Sequence, residues 1–125
     1  MTIFELMRRL SERAFAIMAV CEETRKYFGI TVDEDRVGQY RFVWSFKIDK
    51  EKGHKEGYDS KSVSGSVTLD DEYPGCPYCG EKRFYICQCG KIVCHHGQRT
   101  VTCPSCGTTG ELVAVERIDL KGGGY

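Results

Sequence analysis

Seven cysteines are concentrated between positions 76 and 106, in spacings that are typical of metal ligands. Two Cys-Pro-x-Cys-Gly turns, at 76–80 and 103–107, lie on either side of a Cys-x-Cys-Gly turn at 87–90. Such a turn can direct two thiolates at one ion, because Pro fixes the bend and Gly lets the chain leave it at positive φ. Four thiolates form the donor set of a closed tetrahedral zinc site. The cluster therefore predicts zinc, and the number of thiols predicts two ions.

The candidate ligands are the clustered cysteines and one histidine, since seven thiolates leave one of eight coordination positions unfilled. Strand-like alternation after Cys94 places His96 on the same face, which makes His96 the first choice for the eighth ligand. His54 is the second choice and His95 the third. The predicted cysteine ligands are Cys76, Cys79, Cys87, Cys89, Cys94, Cys103 and Cys106.

The sequence leaves the pairing of these ligands open. A nested arrangement joins the two outer turns at one ion and leaves Cys87, Cys89, Cys94 and a histidine for the other. An interleaved arrangement joins the first turn with Cys94 and a histidine, and joins Cys87 and Cys89 with the last turn. A single ion with some unused thiols is the third alternative.

Two other uses of the cysteines are weaker hypotheses. A disulfide framework needs an oxidising compartment, and the first residues carry no pattern of an export signal. The tetrad at 76–79 has the letters of a glutaredoxin active site, Cys-Pro-Tyr-Cys. In that fold a long helix follows the tetrad and lowers the thiol pKa, whereas here a glycine and a β-like run follow.

Length and composition favour a soluble chain that forms one compact domain, or two small lobes that share a core. The chain has 125 residues, 41% of them hydrophobic, and its 18 basic side chains balance its 18 acidic ones. The longest apolar run, at 14–21, is far shorter than the ~20 residues of a membrane-spanning helix. Basic residues of the cysteine-rich part are interspersed with acids, so nucleic-acid binding is not favoured. We therefore expect a cytoplasmic protein that is associated neither with a membrane nor with nucleic acid.

A helix is predicted over residues 2–28. Thr2 and Glu5 have the spacing of a capping box, and Gly29 is a natural C-terminal stop. Between them, apolar residues recur at three- and four-residue intervals: Ile3, Met7, Leu10, Ala14, Ile17, Cys21 and Phe28. Cys21 lies on this stripe and is interpreted as a buried thiol that is not a ligand.

Strands are predicted after the helix. Alternating aromatic residues at 40–48 indicate a half-buried strand with one aromatic face. A charged loop at 49–60 holds His54, and a weaker strand at 62–69 is expected to pair antiparallel with the first. A closing strand at 111–120 and a flexible tail at 121–125 complete the chain.

These elements predict an α+β fold, in which an N-terminal helix packs on a small antiparallel sheet beside a cysteine-rich, zinc-ribbon-like lobe. The predicted division is a helix and linker at 1–37 and a domain at 38–125. Within that domain, a β-hairpin occupies 38–75, the metal-binding core 76–107, and the closing strand with its tail 108–125.

The order of the cysteine turns, with Ile-Cys-Gln-Cys-Gly-Lys at 86–91 and Cys94 between the outer two, resembles the TerY-C metal-binding domain. The likeness extends upstream through the aromatic strand and the Gly-His-Lys-Glu-Gly-Tyr segment at 53–58, over roughly residues 38–112. That domain is found at the C-terminus of von Willebrand A-type proteins of bacterial tellurite-resistance and stress-response gene clusters. The resemblance implies a non-enzymatic, zinc-ribbon-like module that acts with A-type domains, Ter-family proteins and associated kinases or phosphatases. Here only a helix is predicted before the module, so we expect the partner in trans.

Three classes of function are compatible with these patterns, and the first is preferred. A structural zinc module for protein interaction explains closed thiolate sites and a neutral charge. A zinc ribbon that binds nucleic acid would need a basic face. A zinc enzyme would need an open coordination position and a general base, and neither Glu81 nor Glu111 lies in such a motif.

Overall fold

The computed structural model describes residues 14–58, 61–87, 89–112 and 118–124, and this part of the chain is mostly β-structure. The predicted α+β fold, with an N-terminal helix packed on a sheet, is therefore wrong. Within the described residues no helix is long and apolar enough to span a bilayer. The elements are β1 (Phe15–Val20), β2 (Tyr27–Arg36), β3 (Gln39–Lys47), α1 (Lys50–Lys55), β4 (Lys61–Leu69), β5 (Phe84–Ile86), β6 (Ile92–Cys94), β7 (Thr100–Thr102), β8 (Thr109–Glu111) and β9 (Ile118–Gly124).

Seven of these strands form one mixed sheet in the order β2-β3-β4-β9-β1-β6-β5. Strand β1 also pairs with β2, so β1, β2, β3, β4 and β9 close into a ring of backbone pairings. The pairs β3–β4 and β1–β6 are parallel, and the other pairs of this sheet are antiparallel. Strands β7 and β8 form a separate hairpin. The result is a small barrel that carries the cysteine-rich lobe on β6 and β5.

Where the structure describes the predicted N-terminal helix, it shows β1, a turn and the start of β2. Residues 15–20 are β1 and residues 27–36 are β2, whereas the part of the prediction at 2–13 lies outside the described residues. Every residue of β1 is buried. A run that is apolar at every position matches the hydrophobic period of a helix as well as that of a strand. The period alone could therefore not tell a helix from a strand at residues 15–20.

The barrel core lies between β1, β2 and β3. In the antiparallel register Phe15 faces Val32, and Ile17 faces Ile30, and all four are at most 4% exposed. Burying each such side chain contributes about 1.5–3 kcal/mol. Phe42 of β3 completes this layer and is fully buried. This layer holds β1 in place, and with it Cys21, which directly follows β1.

The aromatic strand is confirmed, but its aromatic side chains do not share one face. Phe42 pairs with Val32, while Trp44 pairs with Thr31, so Val43 is an extra residue in the ladder. Such a β-bulge reverses the alternation beyond it. Phe42 therefore points into the core, and Trp44 lies on the opposite face with partial exposure.

The predicted loop at 49–60 contains helix α1, which explains why β3 and β4 are parallel and not antiparallel as predicted. The Asp49 side chain caps the helix by accepting a hydrogen bond from the Lys52 N–H at 2.7 Å. Gly53 is buried against the Met18 side chain of β1. A helical crossover carries the chain back across the sheet, and a parallel pair needs such a connection.

The predicted flexible tail is part of the barrel as far as Gly124. Residues 118–124 form β9, which pairs with β1 along one edge and with β4 along the other. The glycines at 122–124 supply backbone hydrogen bonds to β1 without needing side-chain packing, and composition alone gave no sign of this.

Candidate metal centres

The first candidate site, named here the first site, brings together four cysteine sulfurs that lie within 4.8 Å of one another. Cys79 Sγ is 3.7 Å from Cys94 Sγ, which is 3.8 Å from Cys21 Sγ. A tetrahedral ion with Zn–S bonds of about 2.3 Å separates its sulfurs by about 3.8 Å. The spacing therefore fits a shared ion and is too wide for a disulfide bond. The four residues are Cys21, Cys76, Cys79 and Cys94.

The second site has the same composition and a more exposed position. Cys87 Sγ is 3.4 Å from Cys106 Sγ, and Cys89 Sγ is 3.8 Å from Cys103 Sγ. All four sulfurs lie within 4.8 Å of one another. Cys103 is buried whereas Cys106 is exposed, so one corner of this site faces solvent.

The structure groups the seven predicted cysteines in the interleaved arrangement. The turn at 76–79 shares its group with Cys94, and Cys87 and Cys89 share theirs with the turn at 103–106. The place that was predicted for a histidine at the first site is taken by Cys21. Cys21 is fully buried, as predicted, but its sulfur lies within the group of candidate ligands from which the prediction excluded it.

The two Cys-x-x-Cys-Gly turns have the backbone that their sequence predicts. In the first turn, the Gly80 N–H donates to the Cys76 carbonyl at 2.8 Å, and the Cys76 N–H donates to the Glu81 carbonyl at 2.9 Å. The turn at Cys103 has the same two bonds, both of 2.9 Å. The glycine of each turn has a φ of +77° or +78°, where other residues are strained.

The turn after Cys21 has the same backbone, although its sequence hides this. The Arg25 N–H donates to the Cys21 carbonyl at 2.8 Å, and the Cys21 N–H donates to the Lys26 carbonyl at 2.9 Å. Arg25 takes the glycine position with a φ of +61°, and Thr24 takes the position of the second cysteine. The Lys26 N–H donates to Thr24 Oγ1 at 3.3 Å. Residues 21–26 are therefore a zinc-knuckle turn that supplies only one thiol.

Strand pairing brings Cys21 and Cys94 together. Strands β1 and β6 are parallel, with Ala19 opposite Ile92 and Val20 opposite Val93. Cys94 ends β6 and Cys21 directly follows β1, so continuing this register by one residue places the two cysteines side by side. The turn at 76–79 then contributes the other two sulfurs.

The tighter Cys-x-Cys-Gly turn lies between β5 and β6. The Gly90 N–H donates to the Cys87 carbonyl at 2.8 Å, and the Cys87 N–H donates to the Lys91 carbonyl at 3.0 Å. Gly90 has a φ of +89°. This turn is one residue shorter than the Cys-x-x-Cys-Gly turns at 76–80 and 103–107. It presents Cys87 and Cys89 to the turn at 103–107.

The predicted histidines lie outside both groups of four sulfurs. His96 comes closest, with Nε2 3.4 Å from Cys79 Sγ and Nδ1 3.1 Å from a Glu22 carboxylate oxygen. His95 Nε2 lies 2.7 Å from a backbone carbonyl three residues later. His54 is exposed on α1 and belongs to neither group. In this arrangement His96 is a neighbour of the first site, and the eighth thiol fills the place predicted for it.

A family model described as the TerY-C metal binding domain matches residues 12–122 of this chain. The chain belongs to the TerY-C metal-binding domain family. The match includes Cys21 and β1, upstream of the region over which the resemblance was noted from sequence. The comparisons with curated proteins and with solved structures found no significant match.

Around the first site of this TerY-C domain, hydrogen bonds form an outer layer. The Glu22 N–H donates to Cys94 Sγ at 3.1 Å. The Glu22 carboxylate lies 3.1 Å from the His96 ring and accepts from Gln98 Nε2 at 2.9 Å. Such partners orient metal ligands and offset the negative charge of the thiolates.

The thiols of the first site have divergent pKa values without a metal. The hydrogen bond from Cys94 lowers the pKa of Cys76 to about 5, against the opposing effect of burial. The same hydrogen bond and then burial raise the pKa of Cys94. Burial raises the pKa of Cys79 to about 11. One thiolate is therefore held by protonated neighbours, and an ion that binds all four sulfurs must displace their protons.

The second site of the TerY-C domain has the same pattern. Burial raises the pKa of Cys87 to about 12 and also raises that of Cys103. The hydrogen bond with the Thr108 hydroxyl lowers the pKa of the exposed Cys106 to about 6. Each site thus contains one thiol with a lowered pKa beside two whose raised pKa values a bound cation would oppose.

Proposed function

We propose that this TerY-C domain is a non-enzymatic, structural zinc module that holds two ions and serves protein interaction in a bacterial chemical-stress response. The observation that carries the proposal is the presence of two separate groups of four cysteines with sulfurs at the spacing of a tetrahedral site. The family match supports metal binding directly.

Zinc is favoured by the donor set. Four thiolates in a tetrahedral arrangement suit zinc or iron, and the affinity of a given site for divalent metals is higher for zinc than for ferrous iron. The eight cysteines are free thiols in the structure, which suits a reducing cytoplasm.

A structural role is supported by the donor count. Catalytic zinc sites keep one position open for water or substrate, whereas four thiolates fill all four positions. Among the residues whose burial the structure describes, the core beside the second site is a small cluster of buried side chains: Val20, Tyr85, Val93, Val101 and Cys103. Such a small core supplies little stability by itself, so we expect the metal to supply much of the remainder.

A protein partner in trans is the simplest reason for a rigid module without an open metal position. The resemblance noted from sequence suggests a von Willebrand A-type protein or another Ter-system component as that partner. Tellurite or a related chemical stress is the proposed context.

The test of the metal centres is native mass spectrometry with elemental analysis of the purified protein. We expect two zinc ions per chain, and X-ray absorption with four sulfur neighbours per zinc at about 2.3 Å. Iron in place of zinc would contradict the choice of metal. Oxygen or nitrogen neighbours would contradict the closed thiolate sites.

The test of the partner is co-purification with an A-type protein from a tellurite-resistance cluster. The zinc-loaded protein is expected to retain it, and a Cys103→Ser variant is expected to lose both one ion and the partner. Retention of two ions without any binding would refute the partner and leave the metal sites intact.

A further inference from the structure

A cleft of about 520 Å³ opens beside the turn at 76–80, and its walls combine lysines with tyrosine rings. This volume lies within the range of about 300–1,000 Å³ that is typical of ligand pockets. The side chains that matter for its chemistry are Lys26, Lys47, Lys50, Lys52, Tyr27 and Tyr78.

The lysines surround the two tyrosine rings. Lys47 Nζ lies 5.3 Å from the centre of the Tyr78 ring, and Lys26 Nζ lies 5.8 Å from it. Lys50 Nζ lies 5.8 Å from the centre of the Tyr27 ring. Cation–π contact stabilises each ammonium, but it does not neutralise the charge. Three ammonium groups are therefore gathered around two neighbouring rings.

The cleft has little negative charge of its own. None of the ion pairs found among the described residues includes one of the four lysines. Among the described residues that line it, Asp49 is the only acidic one, and one of its carboxylate oxygens accepts the hydrogen bond that caps α1. Like charges held close together repel each other, and an anionic ligand would relieve this repulsion.

The metal sites hold the rings in place. Tyr78 lies within the turn at 76–80, and its hydroxyl donates to the Tyr27 carbonyl at 2.9 Å. The Tyr27 hydroxyl lies 2.9 Å from the hydroxyl of Ser105, which belongs to the turn at 103–107. The floor of the cleft is therefore tied to both sites, and a rigid, preformed surface binds with a smaller ordering cost.

We propose that this cleft binds an acidic segment of a partner protein, with glutamate or aspartate carboxylates on the lysines. The inference deepens the proposed function, because it gives the partner's docking surface and its chemistry. Charge complementarity favours a carboxylate-rich peptide. A single-stranded nucleic acid would stack its bases on exposed rings, but ammonium groups already lie over both tyrosines.

The experiment is isothermal titration calorimetry of the zinc-loaded full chain with a peptide of alternating glutamate and tyrosine residues. We expect binding that weakens as salt is added, and no binding of the matched peptide with glutamine in place of glutamate. The double variant Lys47→Glu, Lys50→Glu is expected to lose at least about tenfold in affinity.

The matched control is Lys55→Glu combined with Lys82→Glu. It changes the net charge equally, and both lysines are exposed and lie outside the lining. The control is expected to bind as the wild type does, whereas an equal loss in both double variants would overturn the assignment to the cleft. Tighter binding of a mixed-sequence oligonucleotide or of inorganic phosphate would overturn the choice of an acidic peptide, as would wild-type protein that ignores the glutamate peptide.

Metal content is measured on each sample, so that the two proposals fail separately. Protein that holds two ions but ignores the peptide refutes the docking surface alone. Protein that lacks the ions refutes the zinc module first.

Discussion

Replacing Cys21 by serine is the sharpest test of the first site, because this cysteine lies outside every cysteine motif of the sequence. Structural zinc contributes about 10–16 kcal/mol of apparent binding free energy in small zinc-dependent peptides. An equal share for each of four ligands is about 2.5–4 kcal/mol, a large part of the 5–15 kcal/mol that stabilises a typical domain. A buried thiol that only packs would cost about 1–3 kcal/mol when replaced by a hydroxyl, through lost contacts and desolvation.

The assay combines native mass spectrometry with urea denaturation, with and without excess chelator. Cys21→Ser is expected to hold one ion tightly in place of two, and to lose about 2.5–4 kcal/mol when zinc is present. With chelator the gap to the wild type should shrink, since neither protein then has a metal at the first site.

Ala19→Ser is the matched control, because Ala19 is fully buried in the same core cluster as Cys21. It also places a hydroxyl in that cluster, but it removes no thiol. We expect it to keep both ions and to cost the same with and without chelator. Cys21→Ser protein that holds two ions with wild-type affinity would refute the assignment of this ligand.

Three further predictions follow from the sites. Gly75→Ala should destabilise the zinc-loaded protein by at least about 2 kcal/mol in urea denaturation. The reason is that Gly75 has a φ of +84° and that an added Cβ would lie 2.8 Å from a backbone carbonyl oxygen. Gly110→Ala is the control and should have little effect, because a Cβ there meets nothing within 4 Å. Zinc affinity should rise between about pH 6 and pH 8. The pKa of Cys79 is raised to about 11 and that of Cys87 to about 12, so zinc binding must displace their protons. A chelator-competition titration that shows no pH dependence would contradict this. Iodoacetamide should modify Cys106 first in the zinc-loaded protein, because it is the exposed cysteine of the two groups; peptide mapping that finds a buried cysteine modified earlier would contradict the order of exposure.

The second site and most of the first were predictable from sequence, because their knuckles carry local chemical signatures. Pro and Gly mark the turns at 76–80 and 103–107, and their backbone hydrogen bonds follow from sequence alone. The pairing was not predictable, since it depends on which strands are neighbours. The parallel pairing of β1 with β6 decides it, and its partners are far apart along the chain.

Cys21 was missed for two physical reasons. Strand β1 is buried on all sides, so its apolar run matched a helical stripe as well as a strand. The turn that follows uses Arg25 at positive φ and Thr24 at the second ligand position, so neither glycine nor a second cysteine marks it. A non-glycine residue at positive φ becomes apparent only when the backbone is known.

The parallel orientation of β4 and the ordered end of β9 were missed because both depend on long-range pairing. The sequence at 49–60 reads as a charged loop, but Asp49 caps a helix there and the helix turns the connection into a crossover. The glycines at 122–124 have little intrinsic strand propensity. They lie in a strand because β9 pairs with β1 on one side and with β4 on the other.

The two sites close spans of chain of very different length. The sulfurs of Cys87 and Cys106 are 19 positions apart, whereas those of Cys21 and Cys94 are 73 positions apart. Closing the longer loop costs an unfolded chain about 1 kcal/mol more, and it also requires β1 to be paired with β6. The second site therefore closes within a short segment of chain. The first site forms only when β1 has paired with β6, so an ion bound there would fasten the first described strand to the cysteine-rich lobe.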